Sequence, residues 1–220
     1  MLFDLKGKRR RTVQATYVAL AFLMVVGLVG AGVGSGVSGG VFDLFGGGSG
    51  KSTANKVVDN RIKAAQRALR INPRDQAALA TLVRSHYQLA SLDSSQTTGQ
   101  FGPNGKKELR LAASAWQRYV ASNPKKVDAS LASVMLNGFG KRGLNQPANV
   151  AAASELIATT KNDTVSYVRL TACATLASQI RKAQLAGQKA IALAPKDQVK
   201  AIKTYIQEAR TPTGAPKYCG

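Results

Sequence analysis

The residue types that most often carry out chemistry are sparse in this sequence. It contains one histidine, two cysteines and 11 carboxylates among 220 residues. The histidine, His86, falls on the apolar face of a predicted helix, which is typical of a packed core side chain. The nine carboxylates beyond residue 50 form no close pair suited to acid–base catalysis, and no cysteine and histidine spacing suits zinc. We therefore expect a protein that is not an enzyme and that uses no cofactor or metal.

One segment comes close to a phosphate-binding loop. Residues 46–53 read G-G-G-S-G-K-S-T, with the Gly-Lys-Ser ending of such a loop. The motif requires a glycine five positions before that ending, where this chain has Phe45. It also follows a strand, whereas an apolar helix-forming run precedes it here. We interpret residues 35–53 as a flexible linker rich in glycine and serine.

Binding chemistry remains, and the charge balance favours anionic partners. Lys and Arg number 31 against 11 Asp and Glu, which gives a net charge of +20. Residues 51–220 hold 26 basic and nine acidic groups, so most of the excess lies beyond the linker. Such a surface attracts acidic proteins, anionic lipid, acidic polymers or nucleic acid. Nucleic acid is the least favoured, because no recognition motif is present and aromatic residues do not alternate with the basic ones.

The N-terminal region predicts a membrane anchor. Residues 1–11 are basic, and residues 12–34 contain no charge, which fits the roughly 20 apolar residues that a spanning helix needs. The basic flank places the N-terminus in the cytoplasm and the domain that follows outside it. The basic side chains of the flank are Lys6, Lys8, Arg9, Arg10 and Arg11.

Alternatives to an uncleaved signal-anchor stay open. A cleaved signal peptide has a shorter apolar region and a small-residue cleavage site, and a buried core helix is the other alternative. The inverted orientation would put the basic domain in the cytoplasm, where nucleic acid is accessible. Gly30 and Gly34 would let two spanning helices approach closely, or they mark a helix that frays into the linker.

From residue 54 onward, apolar residues recur at helical spacing and nowhere at sustained strand spacing. This predicts an all-α domain over residues 54–210, in which each helix buries one apolar stripe. The predicted inward stripes are Val58, Ile62, Ala65 and Leu69; Leu79, Leu82, Val83, His86 and Ala90; Leu109, Ala112, Trp116 and Val120; Val165, Val168, Ala172 and Leu176; Ile180, Ala183, Gly187 and Ile191; and Ile202, Tyr205, Ile206 and Ala209.

Proline and aspartate predict where these helices end and begin. Helices should stop at Asn72-Pro73, Asn123-Pro124 and Ala194-Pro195, and Asp75 and Asp163 are predicted N-caps. Glycines at 138, 140 and 143 should break the chain after a helix over about 126–137.

The end of the chain is predicted to be a flexible tail, residues 211–220, after two prolines. Cys173 and Cys219 leave two possibilities open. In an oxidising compartment they would form a disulfide that ties the tail to a helix. The alternative is a buried Cys173 and a free thiol on the tail.

Three proline-terminated segments can be aligned on their prolines, and together they resemble the second helix of a tetratricopeptide (TPR) repeat. The segments are 62–73, 112–124 and 183–195. Five, eight and twelve residues before the proline stand Ala68, Tyr119 and Ala190; Ala65, Trp116 and Gly187; and Arg61, Ala112 and Ala183. The positions of the paired first helix are held by Leu79, Leu82 and His86, and by Tyr167 and Leu170.

The spacing departs from that family. The prolines are 51 and 71 residues apart, against a period of about 34. An inserted loop over residues 94–105 and a degenerate repeat over 125–161 would account for the difference. An irregular α-helical bundle is the alternative fold.

The resemblance implies an α-solenoid of antiparallel helix pairs with a groove that binds a partner protein, lined by Arg84, Tyr87 and Gln88. Independently, Lys106, Lys107 and Arg110 form a basic cluster at a helix start, where cations are mildly unfavourable. The cluster is interpreted either as an anionic contact or as an ordinary solvated face. The opening F-D-L-K-G-K-R-R-R-T-V-Q is similar to the start of membrane-anchored TPR proteins of actinobacteria. The resemblance thus implies a single-pass scaffold of the bacterial cell membrane that works in secretion or envelope assembly. An electrostatic module on anionic lipid or wall polymer is the second interpretation.

Overall fold

A computed structural model describes residues 50–219, with side chains described over residues 55–219, and this part of the chain is all-α. It contains no strand, only an isolated bridge between Ser94 and Phe101. The predicted all-α class is therefore confirmed for this range. The helices are α1 (Gly50–Ile71), α2 (Gln76–Leu92), α3 (Pro103–Ala121), α4 (Ala129–Phe139), α5 (Pro147–Lys161), α6 (Thr164–Leu176), α7 (Ile180–Leu193), α8 (Val199–Ala209) and α9 (Ala215–Cys219).

The predicted anchor, residues 12–34, lies outside the described residues, as do the basic flank and the pair Gly30 and Gly34. Within residues 50–219, no helix combines the length and the apolar character needed to cross a membrane. The linker was predicted to extend to residue 53, but α1 already begins at Gly50.

Helix ends follow the local signals in the sequence. The helices α1, α3 and α7 end one or two residues before the three predicted Asn-Pro and Ala-Pro stops. The Asp75 carboxylate accepts hydrogen bonds from two backbone N–H groups at the start of α2, and Asp163 accepts one from Ser166 at the start of α6. Both predicted N-caps are confirmed. Asp128 caps α4 in the same way, so that helix begins three residues later than predicted.

Successive helices pack in pairs. α2 packs on α3, α4 on α5, and α6 on α7, while α2 also contacts α4 and α5 contacts α6. The connections within the α4–α5 and α6–α7 pairs are seven and three residues long, which makes their helices antiparallel neighbours. The α2–α3 pair is antiparallel because the end of α2 meets the start of α3: His86 faces Glu108, and a Cβ at Gly105 would lie 2.8 Å from the Ala90 carbonyl oxygen. The degenerate region over 125–161 thus holds a helix pair of its own.

Small residues let the helices approach closely. Eighteen of the 38 buried apolar residues among those described are alanine, and interaxial distance depends on the side chains at the contact. Gly187 gives the clearest case, because a Cβ there would lie 2.9 Å from Cγ2 of Ile206. Gly187 is the residue eight before the proline in the third aligned segment, so that position does hold a close contact, between α7 and α8.

Four residues predicted to face inward are exposed. Val165 is 71% exposed, Leu176 39%, Ile180 70% and Tyr205 45%. The first three lie in the first or last turn of α6 or α7. Tyr205 lies beside the buried stripe of α8, with its ring 6.1 Å from that of Tyr218.

The predicted flexible tail is wrong. Residues 215–219 form α9, which packs on α6, and Cys219 forms a disulfide with Cys173, with Cα atoms 4.9 Å apart. Pro216 is compatible with this helix because it lies in the first turn, where a backbone N–H has no intrahelical partner. Of the two possibilities left open for the cysteines, the structure contains the disulfide; the sequence alone could not choose between them, because the two cysteines are 46 residues apart.

The inserted loop ends earlier than predicted. Pro103 begins α3, because proline is tolerated at the first helical position. Residues 103–105, assigned to the loop from the sequence, are therefore helical.

Candidate partner-binding site

Arg84, predicted to face a partner, is engaged within the chain. Its guanidinium forms an ion pair with Asp128 and lies 3.4 Å from the Ser130 hydroxyl. Both partners lie at the start of α4, so the contact joins the first helix pair to the second. Arg84 remains about half exposed and retains donors that can reach a ligand.

The Asp128 carboxyl is stabilised in its charged form. Burial alone would raise its pKa, but hydrogen bonds from the Ser130 hydroxyl and from the backbone N–H groups of Leu131 and Ser130 lower it, as does the Arg84 charge. The result is a pKa below the usual range for an aspartate. Arg84 therefore faces a carboxylate that stays charged at neutral pH.

Tyr87 packs against its own chain. Its ring meets Phe101 edge-on at 6.0 Å, which holds the loop before α3 against α2. Burial raises the pKa of the Tyr87 hydroxyl, and the Asn137 side chain opposes part of that rise. Gln88, the third residue of the predicted groove, is exposed. The predicted groove thus offers Gln88 and part of Arg84 to a partner.

His86 is buried on the inward face of α2, as predicted. Its Nδ1 lies 2.7 Å from Oε2 of Glu108 on α3. The sequence analysis missed this partner, which holds α2 to α3 through a polar contact inside the interface. Helical spacing placed the histidine correctly but carries no information about the facing helix.

The basic cluster of Lys106, Lys107 and Arg110 is exposed, and none of the three forms an ion pair with a described residue. The unfavourable helix dipole is compensated locally, because the Asp93 carboxylate accepts the backbone N–H of Gly105 at 2.8 Å. The structure does not join this cluster to Arg84, which pairs with α4.

A groove that was not predicted from the sequence lies between α1, α2 and α3. It has a volume of about 340 Å³ and includes Arg70 of α1 and Leu111 and Arg118 of α3. The available signal was the spacing of Lys107, Leu111, Ser114 and Arg118, which puts them on one face of α3. The complete lining is Gln66, Leu69, Arg70, Leu82, His86, Leu111, Ser114 and Arg118.

Cations dominate the described surface because most acids have an internal role. Three of the 25 Lys and Arg side chains between residues 55 and 219 form ion pairs with acids in that range. Seven of the nine acids cap a helix, accept a backbone N–H or pair with a side chain. These acids are Asp75, Asp93, Glu108, Asp128, Glu155, Asp163 and Glu208.

One such acid, Glu208, links the last turn of α8 to α9. Glu208 accepts hydrogen bonds from Lys217 and Tyr218, each at 2.6 Å. The bond from Lys217, followed by that from Tyr218, lowers the pKa of Glu208, and the same contact raises the pKa of Tyr218 to about 12. With the disulfide, these contacts fix the C-terminal helix on the domain.

Among residues 50–219, no three His, Cys, Asp or Glu side chains lie close enough together to hold a metal ion. The chain matches no family model, no curated protein and no solved structure. The likeness to TPR repeats therefore depends on the aligned segments and on the pairing of the helices.

Proposed function

We propose that this protein is a non-enzymatic, membrane-anchored TPR-like scaffold that presents a basic protein-interaction surface outside the cytoplasm. Secretion or envelope assembly is the setting that its layout fits. The observation that carries the proposal is the charge distribution, in which acids are used internally while 22 of the 25 described Lys and Arg side chains are exposed. A surface of this kind accelerates encounter with acidic partners.

The helix pairs add to this argument. Antiparallel pairs stacked in sequence order are the arrangement of TPR solenoids, which bind partners along an extended surface. Of the nine aligned positions, all but Arg61 and Ala68 are buried, as tight pairing of helices requires.

The disulfide supports the proposed location. Disulfides persist in oxidising compartments and are rare in the cytosol. A buried bond between Cys173 and Cys219 therefore fits a domain exported by the predicted anchor, whose basic flank is the topology signal.

The test combines topology with crosslinking in cells. External protease should cleave the domain in intact spheroplasts, and crosslinking of the full chain should capture a discrete set of proteins. A chain ending at residue 49, before α1, is the control. Protection of the domain from external protease would overturn the location, and capture no greater than that of the control would overturn the scaffold function.

An electrostatic module is the second candidate, favoured by one feature of α8. Lys200, Lys203 and Arg210 are exposed and lie at spacings of three and seven residues on one side of that helix. A flat anionic surface would contact such a side. In this case the full chain in nonionic detergent should bind mixed micelles that contain phosphatidylglycerol, and it should be released as salt rises to a few tenths molar. Retention that is insensitive to salt would refute it.

A further inference from the structure

The groove between α1 and α3 has two ends of different chemistry. At one end the Arg118 Nη2 donates to the Pro73 carbonyl oxygen at 3.3 Å, beside the turn that follows α1. Arg70 lies one turn before that point on α1 and lines the same groove. This end therefore brings two guanidinium groups to one opening.

The other end carries an exposed leucine. Leu111 lies two turns before Arg118 on α3 and is 50% exposed, whereas Leu82, which also lines the groove, is buried. A half-exposed leucine is a place where an incoming apolar side chain removes surface from water. Arg118 lies seven positions after Leu111, a rise of about 10 Å along α3, and this separates the two ends of the groove.

One acid lies at the leucine end of this groove. Glu108 lies one turn before Leu111, and its Oε2 is 2.7 Å from Nδ1 of His86, which lines the groove. No lining residue is itself acidic, and outside the groove α1 continues the positive charge with Lys63 and Arg67, which are exposed. The positive charge of the groove is thus concentrated at the end of Arg70 and Arg118, away from Glu108.

We infer that this groove binds an acidic segment of a partner protein, extended in conformation, that carries an apolar side chain about three residues after a carboxylate. Three residues of extended chain span about 10 Å, which matches the distance between the two ends. A lipid surface is too broad to enter a concave groove of about 340 Å³. Nucleic acid is disfavoured because the one aromatic side chain of the lining, His86, is buried and held against Glu108, which leaves no exposed ring there to stack on a base.

This inference rests on the proposed scaffold function and names the chemistry of its partner. The probe is a fluorescein-labelled peptide of sequence E-D-S-G-L-L, titrated with the full chain in nonionic detergent. Two further peptides separate the contribution of charge to binding from the contribution of the apolar side chains. E-D-S-G-S-S keeps the charge without the apolar anchor, and Q-N-S-G-L-L keeps the anchor without the charge.

The variants separate the groove from general attraction between charges. Arg70→Gln removes a groove cation, whereas Arg67→Gln removes an exposed cation of the same helix that does not line the groove. Leu111→Ser removes the apolar contact at a half-exposed position, where substitution has little effect on folding. Tryptophan fluorescence of Trp116 checks that each variant is folded.

We expect Arg70→Gln and Leu111→Ser each to weaken binding of E-D-S-G-L-L at least about fivefold, with Arg67→Gln within about twofold of the wild type. Both control peptides should bind more weakly than the probe. Equal losses for the two arginine variants, or equal binding of E-D-S-G-S-S, would overturn the groove assignment. If phosphatidylglycerol displaces the probe, and the two arginine variants lose binding equally, the cations of this surface bind lipid and the groove assignment is wrong.

Failure of the groove and failure of the scaffold function can be told apart in cells. If Arg70→Gln with Leu111→Ser leaves the crosslinked proteins unchanged, the groove assignment is wrong and the scaffold function stands. If the wild-type chain captures no more than the anchor-only control, the scaffold function itself is wrong.

Discussion

Reduction of the bond between Cys173 and Cys219 should lower the free energy of unfolding substantially. The bond joins residues 46 apart. In the chain-entropy treatment, closing a loop of that length removes about 13 cal/mol/K from the unfolded chain, or about 4 kcal/mol at 298 K. For a domain of this size that corresponds to a fall in the thermal midpoint of about 8–16 °C.

The structure indicates where this loss appears. Ala215 and Cys173 are fully buried, so α9 covers part of α6 while the bond is intact. Without the bond, this five-residue helix depends on the contacts of Glu208 and on its apolar contacts. An isolated helix of that length is unstable, so we expect α9 to detach first and α6 to lose protection next.

The assay is thermal and urea unfolding of the full chain in nonionic detergent, with and without reductant. Trp116 is the one tryptophan of the sequence, it is buried, and it lies outside the closed loop, so its fluorescence reports on the domain as a whole. Cys219→Ser is the control, since reductant should not change its midpoint. A midpoint that moves by less than about 2 °C on reduction of the wild type would refute the reasoning.

Four further outcomes follow from individual contacts. Asp75→Ala should cost about 1 kcal/mol in urea unfolding and Asp75→Asn much less, because asparagine still caps α2. Gly214→Ala places a Cβ against the carbonyl oxygen of Glu208, so the thiols should react with a thiol reagent under milder reduction than in the wild type. Glu208→Gln should destabilise at neutral pH. Because the pKa of Glu208 is lowered in the folded state, its contribution to the free energy of unfolding is complete above the unfolded pKa near 4.5. The difference in stability between the wild type and the variant should therefore fade as pH falls through the folded pKa. Ultraviolet titration should show one tyrosine ionising at about pH 12, and Tyr218→Phe should remove it.

Local features of this fold could be predicted from the sequence. The capping carboxylates of Asp75 and Asp163 act within three residues of their own position, and proline ends a helix by its own geometry. The inward faces of α1 to α3 follow from the spacing of apolar residues. These predictions required no knowledge of which helix meets which.

Long-range contacts could not be predicted in the same way. Arg84 looked available to a partner because Asp128 is 44 residues away. The pairing of Cys173 with Cys219 could be named from the sequence but not decided, because the two residues are 46 apart. The groove at Arg70 and Leu111 exists only where two helices converge. Periodicity identifies the face of a helix but not the residues that the facing helix brings to it.

The distribution of charge gives the strongest link between this fold and binding. Along α1, the exposed cations Lys63, Arg67 and Arg70 follow one another at four- and three-residue spacing, and each like-charge pair opposes the helix by a few tenths of a kcal/mol. The opposite side buries Ala65 and Leu69, which compensates for that repulsion. A sequence selected for stability alone would place acids between these cations, since such pairs favour a helix. Instead, most acids of the described domain lie at caps and interhelical contacts, so the exposed positive charge remains available to a partner that carries the complementary groups.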